Sequence, residues 1–152
     1  MSLSLGEFAD KLNRIMPVIM KEFARRNANE LSKGRITLPQ LFTLGFLNEK
    51  GESRMTDLAR FMKVTTAAMT GVVDRLVREA YILRVYIPKD RRIIKVKLTP
   101  KGEGLIKKIN QQKRSMIINI FGKISDSERQ DYLRILTRIH DILTKENEVG
   151  SI

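Results

Sequence analysis

The chain has 152 residues, of which 42% are hydrophobic, with one histidine and no cysteine. This length suits one ordinary domain, or a small domain with an added dimerisation element. The lack of cysteine excludes a disulfide framework and a thiolate metal site. No apolar run approaches the roughly 18 residues of a membrane-spanning helix, and residues 1–10 lack the pattern of a secretory signal. We therefore expect a cytoplasmic protein without a metal or cofactor.

The net charge of +12 is concentrated in the middle of the chain. Residues 54–114 contain 16 Lys and Arg against 5 Asp and Glu, a net of +11. Charge that only keeps a protein soluble usually mixes both signs along the whole surface. The concentration therefore favours a polyanion that binds to this part of the chain.

The predicted elements begin with an amphipathic helix. Ser4 and Glu7 have the spacing of a capping box, and apolar residues then recur at steps of three and four. Pro17 lies inside this pattern and predicts a kink near residues 13–16, or a split into two helices. We expect the helix to end near Gly34, because glycine favours the end of a helix.

Three shorter helices are predicted next. Thr37 and Gln40 form a second capping box, and the helix behind them stops at Gly51. Thr56, followed by an acidic residue, predicts the start of a third helix, and Thr65 caps a fourth. These helices lie close together in the sequence, with only a tight turn between the third and the fourth.

A hairpin and two long helices complete the chain. Residues 81–98 alternate between apolar and polar side chains, as strands do, and residues 88–92 predict the hairpin tip. Thr99 caps a fifth helix, and Ser125 with Glu128 caps a sixth, whose apolar residues fall on heptad positions. The predicted fold is mainly α with a small β-hairpin and an all-helical dimerisation region.

Two short helices and a basic hairpin predict a winged helix-turn-helix, which we assign to residues 37–102. A helix fits the major groove of DNA, and small or polar residues of its first turns can contact base edges. The residues predicted to contact DNA from the fourth helix are Thr65, Thr66, Ala67, Thr70, Gly71 and Arg75.

Several of these residues have alternative roles. Thr65 and its neighbours can serve only as a helix cap. Gly71 allows either a close approach to DNA or tight packing on a neighbouring helix. Arg75 can bind phosphate, or it can pair with Asp74 or Glu79 instead.

The hairpin is the second predicted contact. An arginine at a loop tip can enter the minor groove, where narrow A·T stretches concentrate negative potential. We expect Asp90, the lone acid among these cations, to hold a guanidinium by paired hydrogen bonds. The residues predicted to contact DNA from the hairpin are Lys89, Asp90, Arg91, Arg92 and Lys95.

These segments resemble the MarR family of bacterial regulators. Residues 64–70 with Val73-Asp74-Arg75-Leu76 are similar to the family's helix-turn-helix, and residues 90–92 with 98–102 are similar to its wing and the exit into a long helix. The resemblance implies a homodimer and a wing arginine at Arg92, oriented by Asp90. Ala80 departs from the pattern, since the family usually has glycine there.

Dimerisation is also predicted from the residues themselves. Three long amphipathic helices carry more apolar surface than one small winged domain can cover, so we assign residues 1–36 and 103–152 to dimerisation. The alternative is an intramolecular bundle in a monomer. The predicted interface residues are Phe8, Leu12, Tyr132, Ile135, Ile139 and Ile142.

Together these features predict a sequence-specific, double-stranded DNA-binding regulator, a repressor that acts as a homodimer.

The family resemblance also implies a small aromatic or anionic effector that binds in a pocket. The alternative is that the residues predicted to line this pocket are only part of the hydrophobic core. A non-specific architectural DNA protein is the main alternative function. An enzyme is disfavoured by the lone His140 and the lack of a nucleotide-binding loop, and a membrane-surface protein by the position of the charge. The predicted lining residues are Met16, Met20, Phe23, Phe42 and Phe46.

Overall fold

The computed structural model describes residues 2–26, 33 and 35–149, except for the side chains of 147–149. The chain divides into two compact units, residues 1–113 and 114–152. Within the described residues the elements follow the predicted order, with one additional short strand. They are α1 (Leu5–Arg26), α2 (Leu38–Lys50), β1 (Ser53–Arg54), α3 (Met55–Met62), α4 (Thr66–Arg78), β2 (Ile82–Ile87), β3 (Asp90–Leu98), α5 (Pro100–Phe121) and α6 (Asp126–Val149).

The helix starts follow from local capping. The Thr37 backbone amide donates to Gln40 Oε1 at 2.9 Å, and the Gln40 amide donates to Thr37 Oγ1 at 3.4 Å, which confirms the predicted box at α2. The Ser125 amide likewise donates to the Glu128 carboxylate at 2.8 Å at the start of α6. Each box satisfies backbone donors that have no partner inside the helix.

Helices α1 and α3 differ from the prediction. Pro17 lies inside an uninterrupted α1, so the predicted split is wrong, and the end predicted at Gly34 lies outside the described residues. Helix α3 begins at Met55, one residue before Thr56, because the Arg54 amide donates to Asp57 Oδ2 at 3.3 Å and completes the first turn from there.

The hairpin is part of a three-stranded antiparallel sheet in the order β1-β3-β2. Ser53 of β1 lies opposite Val96 of β3, so the sheet connects the start of α3 to the hairpin. The turn contains only residues 88–89, whereas the predicted tip was 88–92. Tyr86 pairs with Ile94 but Ile87 pairs with Asp90, so residues 91–93 of β3 form a bulge next to the turn.

The buried core lies inside the winged helix-turn-helix. Apolar side chains from α2, α3, α4, the sheet and the first half of α5 pack together there, which fixes α4 and the hairpin against one another. In contrast, α1 has no buried residue, and neither does α6 among its described side chains. No helix in the described part of the chain is long and apolar enough to cross a membrane. The largest fully buried side chains are Ile36, Leu44, Leu58, Met69, Val73, Leu76, Ile82, Val96, Ile106 and Ile109, with Thr43.

Candidate nucleic-acid interface

The first turn of α4 presents small polar side chains to solvent. Thr65 is the N-cap, since its Oγ1 accepts from the Ala68 amide at 3.1 Å. Thr66 and Ala67 are exposed and have no part in this cap. The Thr70 hydroxyl donates to the Thr66 carbonyl at 2.9 Å, which leaves its oxygen able to accept. The capping role therefore accounts for Thr65 but not for Thr66 or Thr70.

The structure also separates the alternatives for the middle of α4. Gly71 is exposed, and a Cβ added there would meet nothing within 4 Å, so packing within the chain does not require this glycine. Asp74, an alternative partner for Arg75, instead forms an ion pair with Arg84 of β2. Arg75 is exposed and forms no ion pair in the part of the chain that the structure describes. Its guanidinium can therefore bind an anion.

In the hairpin, the Asp90 carboxylate forms a hydrogen bond with a backbone amide, whereas we expected it to bind a guanidinium. Its Oδ1 accepts from the Arg92 amide at 3.0 Å, and no ion pair forms between the two side chains, both of which are described. The prediction of paired hydrogen bonds to the guanidinium is wrong because the bulge brings the amide two residues ahead within reach of the carboxylate. Arg91 and Arg92 are exposed, as is Lys89 in the turn, whereas Lys95 is half-buried.

A concavity of about 310 Å³ brings the two predicted contacts together. Thr66 and Thr70 of α4 lie on one side of it, and Arg92 of the hairpin lies on the other. Thr56 of α3 and the guanidinium-bearing Arg54 and Arg84 complete its polar lining. Its full lining is Arg54, Met55, Thr56, Thr66, Thr70, Arg84, Arg92, Ile93 and Ile94.

Two residues of this surface, Arg54 and Thr56, were not predicted from the sequence. Arg54 comes next to the hairpin because β1 pairs with β3, where it lies opposite Lys95. These two residues are about forty positions apart in the sequence, so no local pattern could reveal the pairing. Only the excess of basic residues from position 54 onward marked this part of the chain.

Positive charge dominates the surface around the concavity. Asp74 is paired with Arg84, and Asp57 is paired with Arg60 at 3.7 Å. Within the described residues Arg54 and Arg92 form no ion pair. Their uncompensated guanidinium groups attract anions to this side of the winged helix-turn-helix.

The end of α4 is tied to the start of α5. Ala80 has φ +63°, a left-handed conformation that favours glycine, which explains why glycine is usual at this position. Thr99 Oγ1 donates to the Ala80 carbonyl at 2.6 Å, and Lys101 Nζ donates to the Glu79 carbonyl at 2.8 Å. A Cβ on Gly102 would collide with the Tyr81 carbonyl oxygen. These contacts hold α4 in place from its C-terminal end.

The residues predicted to line an effector pocket lie on α1 and α2. Phe46 packs on the core, and its ring centroid lies 4.7 Å from that of Phe61. Phe42 is exposed, as are Met16 and Met20 of α1, and Phe23 is half-buried. Phe46 is thus partly a core residue, which was the alternative to its role in a pocket. An effector pocket formed by these residues stays a prediction.

The predicted dimer-interface residues are apolar and exposed in the single chain. On α1, Phe8 is 50% exposed and Leu12 is 41% exposed. The four on α6 are exposed to a similar degree, and the Tyr132 ring lies 5.3 Å from that of Phe121. Both helices therefore keep an apolar stripe that the described chain does not cover.

Comparisons with known proteins agree with this geometry. Residues 36–94 match the family model of the MarR family. The chain is 28% identical to the HTH-type transcriptional repressor YetL of Bacillus subtilis, over 93% of this chain and 80% of that protein. It is also 25% identical to a MarR family protein from Bacillus stearothermophilus of known structure, with a TM-score of 0.76 over 93% of this chain and 99% of that one.

A DNA complex also shares the fold. The crystal structure of Streptococcus pneumoniae FabT in complex with DNA is 20% identical to this chain, with a TM-score of 0.76 over 93% of this chain and 99% of that one. The winged helix-turn-helix, the family match and the relatives agree with one another. Residues 36–94 match the winged helix-turn-helix of the MarR family, and over most of its length the chain is similar to DNA-binding transcriptional regulators of that family.

Proposed function

We propose that this protein is a cytoplasmic, homodimeric repressor that binds a near-palindromic operator in double-stranded DNA. The observation that carries the proposal is the concavity that Thr66 and Thr70 of α4 share with Arg92 of the hairpin. Because both elements line one surface, a single duplex can contact them at the same time.

In this proposal α4 enters the major groove and the hairpin enters the adjacent minor groove. Exposed Thr66 and Ala67 and half-buried Thr70 offer hydroxyl and methyl groups to base edges, including the thymine methyl. Arg91 and Arg92 reach the minor groove from the bulge beside the turn. Arg75, which forms no ion pair with any residue that the structure describes, binds phosphate and positions the helix.

The proposed operator is near-palindromic because the proposed dimer has twofold symmetry. The apolar stripes of α1 and α6, exposed in the single chain, are covered when two copies pack together. A twofold dimer presents two copies of α4 to one side of the duplex, so the half-sites lie about 34 Å apart, or one helical turn. Repression follows if the occupied operator overlaps a promoter, and the name of YetL supports that direction of control.

Selection of bound duplexes from a random pool tests the proposal. We expect an enriched motif with two inverted half-sites whose centres are about 10 base pairs apart. The affinity for that motif should exceed the affinity for random duplexes by at least about a thousandfold at the same salt concentration. A ratio near one would instead identify an architectural protein that binds phosphates without regard to sequence.

Release by an effector is tested with the same operator. Aromatic acids added to the complex should lower its affinity if they favour a conformation in which the two copies of α4 no longer match the half-sites. The exposed Phe42 provides a control, because Phe42→Ala should weaken the response to the acid without weakening binding to DNA. Equal DNA affinity with and without every acid tried would contradict effector release by this class of ligand.

A further inference from the structure

Cationic groups line the concavity between α4 and the hairpin. Three guanidinium-bearing side chains take part, those of Arg54, Arg84 and Arg92, and within the described part of the chain the lining contains no carboxylate. Arg54 is exposed and unpaired within the described part of the chain. A group that enters this space therefore meets a strong positive potential on several sides.

Arg84 differs from the other two because it is held in place. Its guanidinium pairs with Asp74 of α4, and its side chain is only 21% exposed. A guanidinium has five N–H donors, so this ion pair leaves donors for a second anion. The ion pair also joins α4 to β2 and thereby fixes the separation of the two sides of the concavity.

The remaining lining residues are apolar. Met55 of α3 and two residues of β3, Ile93 and Ile94, provide this part of the wall. The volume of about 310 Å³ lies at the lower end of the range of ligand sites, about 300 to 1,000 Å³. Guanidinium groups beside an apolar wall match a phosphate attached to a sugar ring, because the C–H groups of the sugar can pack against the wall.

We propose that this concavity binds one sugar–phosphate unit of the operator, at the point where the strand passes from the groove contacted by α4 to the groove contacted by the hairpin. The phosphate lies between Arg54 and Arg84, and the deoxyribose packs against the apolar wall. Arg54 is thus a phosphate-binding residue, and Asp74 is a positioning residue that acts through Arg84. This inference rests on the proposed function, because it requires a specific duplex.

The main test removes the Arg54 guanidinium. Arg54→Ala should lower the affinity for the selected operator roughly tenfold and reduce the slope of log affinity against log salt by about one for each subunit. Arg54→Lys should keep the slope, because the charge remains. The matched control is Arg134→Ala on α6, which removes the same charge from an exposed residue that pairs with Asp131 on the same helix.

A second measurement neutralises the operator one phosphate at a time and compares the wild-type protein with Arg54→Ala. Wild-type protein should lose affinity at one methylphosphonate position in each half-site, between the two grooves, and Arg54→Ala should lose no further affinity at that position. Asp74→Asn should also lower the affinity, but with an unchanged salt slope, since Asp74 contributes no phosphate contact.

The outcomes separate this inference from the proposed function. If wild-type protein selects no motif, the proposed function fails and the phosphate site fails with it. If wild-type protein selects a motif, equal binding and salt slopes for Arg54→Ala and Arg134→Ala would overturn the phosphate site alone. Additive losses from Arg54→Ala and every methylphosphonate would overturn it as well.

Discussion

Helices α4 and α6 are both amphipathic, yet they use their apolar faces differently. In α4, Met69, Val73 and Leu76 are fully buried against the rest of the winged helix-turn-helix. In α6, Ile135, Ile139 and the other apolar residues of the stripe remain exposed. One chain therefore supplies the core of the winged helix-turn-helix, whereas the apolar stripe of α6 stays exposed among the residues that the structure describes.

This difference indicates where each region obtains its stability. An apolar side chain in the core of α4 contributes to the folding of one chain, with about 25 cal/mol for each Å² that it removes from water. An apolar residue on α6 contributes a similar amount only when another surface covers it, as in the proposed homodimer. Substitutions in the two regions should therefore affect different equilibria.

The largest expected effect follows from a charge placed in the stripe of α6. Ile139→Asp puts two carboxylates into the proposed interface, which should weaken the dimer by more than about a hundredfold, because an unpaired buried charge costs several kcal/mol. Light scattering should then detect monomers. The control is Thr137→Asp, which adds the same charge at an exposed position outside the stripe. A dimer that survives Ile139→Asp would place the interface elsewhere.

The next substitution, Gly102→Ala, disturbs the packing of the winged helix-turn-helix. The new methyl group would collide with the Tyr81 carbonyl oxygen, so the substitution should lower the free energy of unfolding by about 3 kcal/mol. Urea denaturation at a fixed protein concentration measures this change. Gly104→Ala, two residues further along α5, meets nothing within 4 Å and should stabilise the helix by up to about 1 kcal/mol. Equal effects of the two substitutions would contradict the close contact.

Arg92→Ala tests the hairpin without changing the buried core or the apolar stripe of α6. Arg92 is exposed and forms no ion pair within the described residues, so we expect the variant to fold and dimerise normally. Its affinity for the operator should fall roughly tenfold, with a smaller salt slope, because one charged contact to DNA is lost. Unchanged affinity together with an unchanged slope would remove the hairpin from the interface.

Substitutions in the first turns of α4 should have smaller effects, visible in base preference. Thr66→Ala and Thr70→Ala each remove one hydroxyl, so preference at the contacted base pair should change by about 1 kcal/mol, while overall affinity changes little. Repeating the selection from random DNA with each variant measures this. Motifs identical to that of the wild type would assign both threonines a structural role only.

The smallest expected effect depends on pH. The Ser125 backbone amide and hydroxyl lower the pKa of Glu128 below its ordinary value of 4.5. A carboxyl whose folded pKa is lowered stabilises the fold above its unfolded pKa and loses that contribution as pH falls through the folded pKa. Between pH 6 and 3 the wild type should therefore lose more stability than Glu128→Gln, measured by thermal melts. Parallel pH profiles would contradict a role of this carboxylate in capping α6.

Local chemistry explains which parts of the fold were predictable. The capping boxes at Thr37 and Ser125 satisfy backbone groups three residues away, so their sequence pattern alone located the starts of α2 and α6. The two-residue strand β1 was missed because it is too short to show any periodicity. The bulge at residues 91–93 was missed because only the register of the two strands defines it.

The same reasoning applies to the candidate interface. The positions of Thr66 and Arg92 on α4 and on the hairpin could be predicted, because the charge and the helix-turn-helix pattern are local. The ion pair between Asp74 and Arg84 joins residues ten positions apart on different elements. Asp90 was expected to hold a guanidinium, but it accepts from the backbone amide of Arg92, and this contact depends on the bulge.

The junction between α4 and α5 limits how the winged helix-turn-helix can move. Hydrogen bonds from Thr99 and Lys101 reach the carbonyls of Ala80 and Glu79, directly after the end of α4, and Gly102 permits the close approach of the two segments. The first turn of α5 cannot rotate without breaking these bonds or carrying α4 along as a rigid body. A rotation of the start of α5 that keeps these bonds intact therefore has to reorient α4 by the same amount.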